Sequence, residues 1–169
     1  MLKNNFNLER VILSLGSNKG ERQANLKNAV QSLKSILKDI TLSSVYKTAP
    51  QDYEAQDDFL NMVVIGLYEG EPLSLLTQIN EIEKTNGRNR DKEIPKGPRT
   101  LDIDILFFGE LRLSTPRLTL PHPAIKKRAF VLVPLLELLP DFHDTDDVIS
   151  YKDILEQLQD QRVERIGKL

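Results

Sequence analysis

Apolar and polar positions along the chain follow two different periods, and each change of period marks a predicted element. Residues 9–15 (ERVILSL) form an apolar, β-branched run that ends at Gly16, which predicts a first strand. A more polar stretch follows in which apolar side chains recur at helical spacing, which predicts a first helix. These side chains are Leu26, Val30, Leu33 and Leu37. Asn18 and Glu21 have capping-box spacing near the start of that helix, whose first turn could also lie a few residues later.

The middle of the chain predicts two more strands and a second helix. Residues 40–48 and 59–68 are strand candidates, and the polar segment between them is too long for a tight hairpin. Pro72 suits the first turn of the second helix, and Gly87 lies just past its end. The predicted inner face of this helix consists of Leu73, Leu76, Ile79 and Ile82.

A last predicted strand completes a recognisable order of elements. Residues 101–108 (LDIDILFF) form this strand, and a turn at 109–110 can fold the chain back through residues 111–113. The order is then strand, helix, strand, strand, helix, strand. This order is typical of the ferredoxin-like βαββαβ fold, an α+β arrangement with both helices on one face of an antiparallel sheet. We expect residues 1–169 to form one such domain with C-terminal additions.

Those C-terminal additions are less well defined by the pattern. Residues 129–139 are apolar throughout, so both a helix and a strand remain open there. Ser150 and Asp153 have the spacing to cap a short final helix that reaches Leu158.

Composition narrows the functional classes. The chain has 169 residues, 40% hydrophobic and 28% charged, as in one soluble globular domain. Its net charge of -2 disfavours general binding to nucleic acid. It has no cysteine and only two histidines, which excludes disulfides, thiolate zinc sites and histidine-rich metal centres. The first ten residues are polar and no apolar run approaches a membrane span, so we expect a cytoplasmic protein without a signal peptide.

The strongest local signal for chemistry is the acidic pair Asp102 and Asp104. Residues two apart in a strand face the same way, roughly 6.5 Å apart along the chain. Two carboxylates at this spacing can converge on divalent ions about 4 Å apart, as in phosphoryl chemistry. Oxygen ligands favour magnesium or manganese over zinc. The alternative is a solvated acidic face of an amphipathic strand, although like charges side by side repel unless a cation lies between them.

A long basic loop precedes this pair. Residues 86–100 (NGRNRDKEIPKGPRT) show no helical or strand period, and loops of this length are often functional lids. Guanidinium groups beside a magnesium site suit polyphosphate binding, whereas the loop taken alone is better explained as a salt-bridged surface loop. No glycine-rich phosphate loop is present in the sequence. His122 lies in a rigid Leu-Pro-His-Pro turn, where a single histidine is more often incidental than catalytic.

Six sequence blocks together resemble one enzyme family. Residues 97–104 (GPRTLDID) closely resemble the signature of the 6-hydroxymethyl-7,8-dihydropterin pyrophosphokinases. Further blocks that resemble the family occur in family order, from about residue 9 to residue 140. They are residues 15–18 (LGSN), 46–50 (YKTAP), 58–61 (DFLN), 120–123 (LPHP) and 128–135 (RAFVLVPL).

This resemblance implies an activity and a set of site residues. The family transfers pyrophosphate from ATP to the hydroxymethyl group of the pterin and releases AMP, a step of folate biosynthesis. By matched position, Asp102 and Asp104 resemble the ligands of two magnesium ions, and Arg90 and Arg99 share the catalytic assignment. The residues that resemble nucleotide contacts are Glu83, Arg88, Arg90, Arg99, His122 and Arg128. Those that resemble the pterin pocket are Thr48, Ala49, Pro50, Gln51, Phe59, Asn61 and Phe130.

Two other functional classes remain open from the residues alone. A ferredoxin-like RNA-binding module would use the basic loop, but the acidic pair would then face the nucleic acid. A magnesium-dependent phosphohydrolase or nucleotidyl transferase would share only the metal pair, and its products would differ. We expect small-molecule substrates, no nucleic acid or membrane partner, and a monomer.

Overall fold

The structure is a computed structural model that describes residues 7–51, 56–88, 97–145 and 149–169. Arg90 and most of the predicted basic loop lie outside the described residues. The strands are β1 (Leu8–Ser17), β2 (Lys38–Leu42), β3 (Val45–Thr48), β4 (Phe59–Glu69), β5 (Asp102–Phe108), β6 (Leu113–Ser114), β7 (Thr119–Leu120) and β8 (Val163–Gly167). The α-helices are α1 (Arg22–Leu33), α2 (Pro72–Thr85), α3 (Ala129–Leu138) and α4 (Tyr151–Glu156). A short 3-10 turn, Ile125–Lys127, precedes α3.

The main sheet confirms the predicted ferredoxin-like architecture. Its strands run in the order β5-β1-β4-β3-β8, with β2 also paired to β4, and all of these pairs are antiparallel. The single strand predicted over residues 40–48 is divided into β2 and β3. Ser43 lies at the division. Its main-chain N–H donates to the carbonyl of Val63, and its Oγ accepts the main-chain N–H of Val63.

Two hydrophobic cores cover the two faces of this sheet. Helices α1 and α2 pack on one face, where Leu26, Leu33 and Ile79 lie against β1 residues such as Leu13. Helices α3 and α4 pack on the other face against Ile12 and other residues of the sheet. The ferredoxin-like part therefore has both of its helices on one face, as predicted, and the C-terminal additions cover the second face.

The structure settles the elements that the sequence left open. Residues 129–138 are helical, because this apolar segment is packed into the second core rather than paired with a strand. The short final helix is confirmed, and Ser150 Oγ accepts the main-chain N–H of Asp153 at 3.1 Å. Strand β8 was not predicted, because its sequence is polar and mostly exposed.

Three local predictions were wrong. Glu21, not Asn18, is the residue that precedes α1, and it makes no side-chain capping bond. Leu75 rather than Leu73 lies on the buried face of α2. The chain after β5 does not return along that strand, since β6 pairs with β7 in a separate two-stranded sheet. Within the described ranges, no helix combines the length and the apolar character needed to cross a bilayer.

Candidate active site

One cavity opens at the ends of β1, β3, β4 and β5, and it collects most of the predicted site residues. Ten of them line it: Thr48, Ala49, Gln51, Phe59, Asn61, Arg99, Asp102, Asp104, Arg128 and Phe130. Three lining residues were not assigned from the sequence: Ser14, Gly16 and Gln56. Chain segments far apart in sequence therefore meet at one place.

The acidic pair lies on β5 with the geometry that the strand period predicted. Ile103 is buried between Asp102 and Asp104, whose side chains remain 22% and 33% exposed. In the neighbouring strand β1, Gly16 pairs with Asp102 and Ser14 pairs with Asp104. Both partners are small, so the carboxylates face the cavity without a bulky neighbour beside them.

Two arginines bind the carboxylate of Asp102. Arg88 Nη1 lies 2.5 Å from Asp102 Oδ1, and Arg99 Nη1 contacts Asp102 Oδ2. Burial opposes ionisation of this carboxyl, but the charges of Arg99 and Arg88 outweigh burial and lower its pKa. Asp102 is therefore an anion whose charge is balanced by the two guanidinium groups.

Asp104 is the less compensated carboxylate of the pair. Burial raises its pKa, and the nearby charge of Asp102 raises it further. Arg128 Nη1 lies 3.2 Å from Asp104 Oδ2, and His122 Nε2 lies 3.7 Å from the same oxygen. These neighbours oppose the shift without reversing it. An additional cation at this carboxylate would relieve the repulsion.

His122 lies at the edge of this acidic pair rather than in the cavity lining. Burial lowers the pKa of the imidazole, so the ring is neutral at pH 7. Its Nδ1 accepts the main-chain N–H of Ala124 at 3.1 Å, which places the ring proton on Nε2. Nε2 therefore presents a donor toward Asp104 and the neighbouring space.

Glu83 lies beneath the acidic pair and is fully buried. Its Oε1 accepts a bond from Arg88 Nη1 at 2.5 Å and from the main-chain N–H of Ile103 at 2.8 Å. Glu83, Arg88 and His122 do not line the cavity, and the described bonds of Glu83 connect it to the cavity through Arg88 and Ile103. Pro50 likewise is not part of the lining.

The opposite side of the cavity is polar and aromatic. Asn61 Nδ2 donates to Thr48 Oγ1 at 2.7 Å, and both side chains are buried. This bond fixes the amide so that its Oδ1 lies next to Gly16, where a Cβ atom would come within 2.8 Å. Phe59 and Phe130 are half-buried in the same lining. The arrangement provides flat apolar surfaces beside a fixed amide, as a planar heterocycle requires.

Arg128 joins the two sides of the cavity. Its guanidinium carbon lies 5.5 Å from the centroid of the Phe130 ring, and its Nη1 contacts Asp104. The same side chain therefore makes a cation–π contact on the aromatic side and an ion pair on the acidic side.

Asn18 organises the rim of the cavity, a role that sequence reasoning missed. Its Oδ1 accepts the main-chain N–H of Arg99 at 2.7 Å, and its main-chain N–H donates to the carbonyl of Arg99 at 3.0 Å. Its Nδ2 donates to Gln56 Oε1 at 2.9 Å. Its sequence signals were its place in the LGSN block, which carried no assigned role, and a capping-box spacing that pointed to the helix instead.

The donor chemistry of the acidic pair suits a hard divalent cation. Within the described ranges, no group of three or more His, Cys, Asp or Glu side chains is arranged to hold a metal ion. Two carboxylates on one strand face, one of them with a raised pKa, nevertheless fit an oxygen-ligated cation that completes its coordination with substrate and water.

Comparison with known proteins decides the family. The model of the 7,8-dihydro-6-hydroxymethylpterin-pyrophosphokinase (HPPK) family matches residues 12–140. The chain belongs to the HPPK family. This match spans both the acidic pair and the polar and aromatic side of the cavity.

Similar proteins include pyrophosphokinases and bifunctional proteins. The 2-amino-4-hydroxy-6-hydroxymethyldihydropteridine pyrophosphokinase of Methylorubrum extorquens is 37% identical over 161 residues, 94% of this chain and 99% of that protein. The Bacillus subtilis protein of the same name is 41% identical over 128 residues, 75% of each chain. The folate synthesis bifunctional protein of Arabidopsis thaliana is 38% identical over 145 residues, 85% of this chain. The HPPK chain described here covers 30% of that bifunctional protein.

Solved structures agree on the fold of this HPPK family member. Plasmodium falciparum HPPK-DHPS with pterin and p-hydrobenzoate superposes with a TM-score of 0.72 and 16% identity. The match covers 92% of this chain and 45% of that one. At this identity the comparison supports the ferredoxin-like architecture alone.

Proposed function

We propose that this chain transfers the terminal pyrophosphate of ATP to 6-hydroxymethyl-7,8-dihydropterin, giving AMP and the pterin diphosphate in folate biosynthesis. One observation carries the proposal. The cavity joins an acidic, arginine-bound side to a polar and aromatic side, and Arg128 contacts both. A reaction between a polyphosphate and a flat heterocycle needs these two surfaces side by side. We place this activity in one domain over residues 1–169, acting as a cytoplasmic monomer.

Asp102 and Asp104 are the proposed metal ligands, and we expect two magnesium ions. When bound, magnesium would neutralise the triphosphate and make the pterin hydroxyl more acidic. The residues of this chain then have separate tasks. Asp104 offers the less compensated carboxylate, while Asp102 shares its oxygens with Arg88 and Arg99.

Arg88 and Arg99 are the proposed phosphate ligands among the described residues. Each already binds an anionic oxygen of Asp102, which shows that its guanidinium group points toward the acidic pair. Phosphate oxygens can use the remaining guanidinium donors, because arginine binds such groups at two points. Arg90 is proposed for the same task from its family position. We propose that Glu83 assists indirectly by holding Arg88.

His122 is a proposed hydrogen-bond donor to the nucleotide. Its neutral ring carries the proton on Nε2, next to the oxygens of Asp104. A neutral donor can bind a phosphate or sugar oxygen without adding to the charge balance of the site. Arg128 is the proposed residue at the join of the two substrates.

The pterin is proposed to bind on the opposite side of the cavity. Phe59 and Phe130 would contact the faces of the ring, and Asn61 would bond its edge through the amide that Thr48 fixes. A site with buried, hydrogen-bonded polar groups rejects rings that lack the matching donors and acceptors. Ala49, Pro50 and Gln51 would contribute main chain and side chain at the rim.

Product analysis tests this proposal against the two rival classes. The protein is incubated with ATP, magnesium and the pterin alcohol, and the products are separated by anion-exchange chromatography. The proposal predicts AMP and a diphosphorylated pterin in equal amounts, and no nucleotide turnover when the pterin is omitted. Turnover of ATP that does not require the pterin would instead indicate a phosphohydrolase. Tight RNA binding at moderate salt without pterin chemistry would indicate the RNA-binding module.

A further inference from the structure

We propose that Gln161 is a positioning residue for the pterin side of the site, an inference that rests on the proposed function. Gln161 lies two residues before β8, beyond residues 12–140 that the family model matches. It does not line the cavity. Its side-chain amide nevertheless binds both segments that form the aromatic side of the cavity.

Two hydrogen bonds of this amide are made to the main chain on either side of Arg128. Gln161 Oε1 accepts the main-chain N–H of Ala129 at 2.8 Å, and Gln161 Nε2 donates to the carbonyl of Lys127 at 2.9 Å. The peptide groups on each side of Arg128 are therefore held by one side chain. Arg128 is the N-cap residue of α3, has an extended main chain, and provides no side-chain cap. Gln161 supplies the acceptor for the first helical N–H, which would otherwise lack a partner in the helix.

A third bond reaches the other segment. Gln51 Nε2 donates to the same Oε1 atom of Gln161. Gln51 follows β3 and lines the cavity, as does Phe130 at the start of α3. The amide of Gln161 thus ties the chain after β3 to the start of α3. Because Gln51 and Phe130 both line the cavity, the distance between these two segments sets the width of the cavity on its aromatic side.

Strand β8 keeps Gln161 at this place. Val163 pairs with Thr48 in β3, so the strand is in register with the residue that binds Asn61. Farther along β8, Arg165 Nε donates to Ser44 Oγ at 2.9 Å. After the strand, Lys168 Nζ bonds to Glu137 Oε1 at 3.1 Å. The C-terminal segment is therefore anchored to both β3 and α3, and its amide has a defined position between them.

Loss of the amide should loosen the aromatic side of the cavity more than the nucleotide side. Arg128 and Phe130 would lose the fixed main chain between them, whereas Arg88, Arg99 and Asp102 make no contact with Gln161 among those described. The expected signature is a rise in the KM for the pterin that exceeds the change in nucleotide affinity, to which Arg128 contributes from the join of the two substrates. A purely structural role would lower Tm without this difference between the two substrates.

The test compares Gln161→Ala with Gln159→Ala in the full chain. Gln159 is an exposed glutamine two residues earlier and serves as the matched control. We expect Gln161→Ala to raise the pterin KM about fivefold, the effect of one or two lost hydrogen bonds. The Kd for a non-hydrolysable ATP analogue, measured by calorimetry, should stay within about twofold. Gln159→Ala should match wild type in both. Gln161→Met, which keeps the side-chain length but not the bonds, repeats the test should the alanine variant fold poorly.

A double-mutant cycle shows whether Gln161 acts through the aromatic ring. In a Phe130→Ala background, Gln161→Ala should add less than about twofold to the pterin KM, because the ring that it positions is gone. If Gln161→Ala and Gln161→Met both fold and keep the wild-type pterin KM, with or without a lower Tm, the positioning role is overturned. The proposed function would still stand. Absence of pterin turnover in the wild type would contradict the proposed function and this inference together.

Discussion

The Oε1 atom of buried Glu83 lies 2.8 Å from the main-chain nitrogen of Ile103, the residue between the two aspartates. Glu83 belongs to α2, and Ile103 belongs to β5. The same oxygen binds Arg88, which in turn binds Asp102. The acidic pair is therefore supported from the core by a buried carboxylate that fixes both the strand and one of its arginines.

The first prediction concerns this support. Glu83→Ala leaves the N–H of Ile103 without its acceptor and removes one anionic partner of the nearly buried Arg88. We expect a loss of about 3 kcal/mol in the free energy of unfolding, as for other broken buried pairs. Glu83→Gln keeps an acceptor for the N–H and should lose less. Urea unfolding measures both, with the exposed Glu81→Ala as control. A loss below about 1 kcal/mol in Glu83→Ala would contradict the supporting role.

The second prediction concerns Gly16 and Asn61. A Cβ at position 16 would come within 2.8 Å of Asn61 Oδ1, so Gly16→Ala must displace the amide that Thr48 orients. We expect pterin affinity to fall about tenfold, or about 1.4 kcal/mol, while nucleotide affinity stays nearly constant. Calorimetric titration of each substrate gives both values. In an Asn61→Ala background the steric conflict is absent, and Gly16→Ala should then have little further effect. Equal pterin affinity in wild type and Gly16→Ala would refute the assigned position of the amide.

The third prediction concerns pH and Glu137, which does not line the cavity. Burial alone would raise its pKa, but hydrogen bonds from Ser44 and Tyr46 lower the pKa from 4.5 to about 2. A carboxyl with a depressed pKa in the folded state stabilises the fold above its unfolded pKa and loses that effect as pH falls. The stability difference between wild type and Glu137→Gln should therefore be full at pH 7 and shrink between pH 4.5 and about 2.

Chemical unfolding at several pH values checks this dependence. Glu156→Gln, which removes one exposed carboxyl on α4, is the matched control for the change in net charge. A Glu137→Gln difference that stays constant down to pH 2.5 or so would show that these hydrogen bonds do not stabilise the charged form.

The fourth prediction separates the two aspartates by their effect on stability. Both Asp102→Asn and Asp104→Asn should lose nearly all turnover, because each removes a proposed metal ligand. Burial and the charge of Asp102 raise the pKa of Asp104, so its ionised form is unfavourable in the ligand-free protein. The Asp104→Asn variant should keep or gain thermal stability at pH 7. Asp102→Asn should lose stability, because Arg88 and Arg99 each then lose their ion pair with Asp102.

Thermal melts without nucleotide, paired with turnover assays, provide the measurement. Turnover within a few-fold of wild type in either variant would reject the metal assignment. A lower Tm for Asp104→Asn than for Asp102→Asn would contradict the conclusion that Asp104 is the less compensated carboxylate of the pair.

The predicted parts of the fold are those whose signal is local. The helical spacing of Leu26, Val30 and Leu33 was sufficient to predict α1, and the alternating pattern was sufficient to predict β5. In both, burial on one face repeats along the element itself. Residues 129–138 were ambiguous because both faces of α3 are apolar, and only packing against the second face of the sheet makes them helical. Strand β8 gave no signal because pairing with β3, not burial, forms it.

The residues of the site also divide into those with a local sequence signal and those without one. The spacing of Asp102 and Asp104 marked them as candidate metal ligands, with a solvated acidic strand face as the alternative. The supporting roles of Glu83, Asn18 and Gln161 were not apparent from the sequence, since their partners lie 20, 81 and 32 residues away in sequence. A side chain that acts through a distant main-chain group carries no local pattern. Such residues are found only when the fold brings the two segments together.

The position of the transferred phosphorus tests the central claim most directly. The protein is incubated with magnesium, the pterin alcohol and ATP labelled at the β-phosphorus, and the label is followed into nucleotide and pterin. Pyrophosphate transfer moves the β-label into the pterin diphosphate and leaves unlabelled AMP. Label that remains in ADP, or that is released as free phosphate or pyrophosphate without entering the pterin, would contradict the proposed reaction.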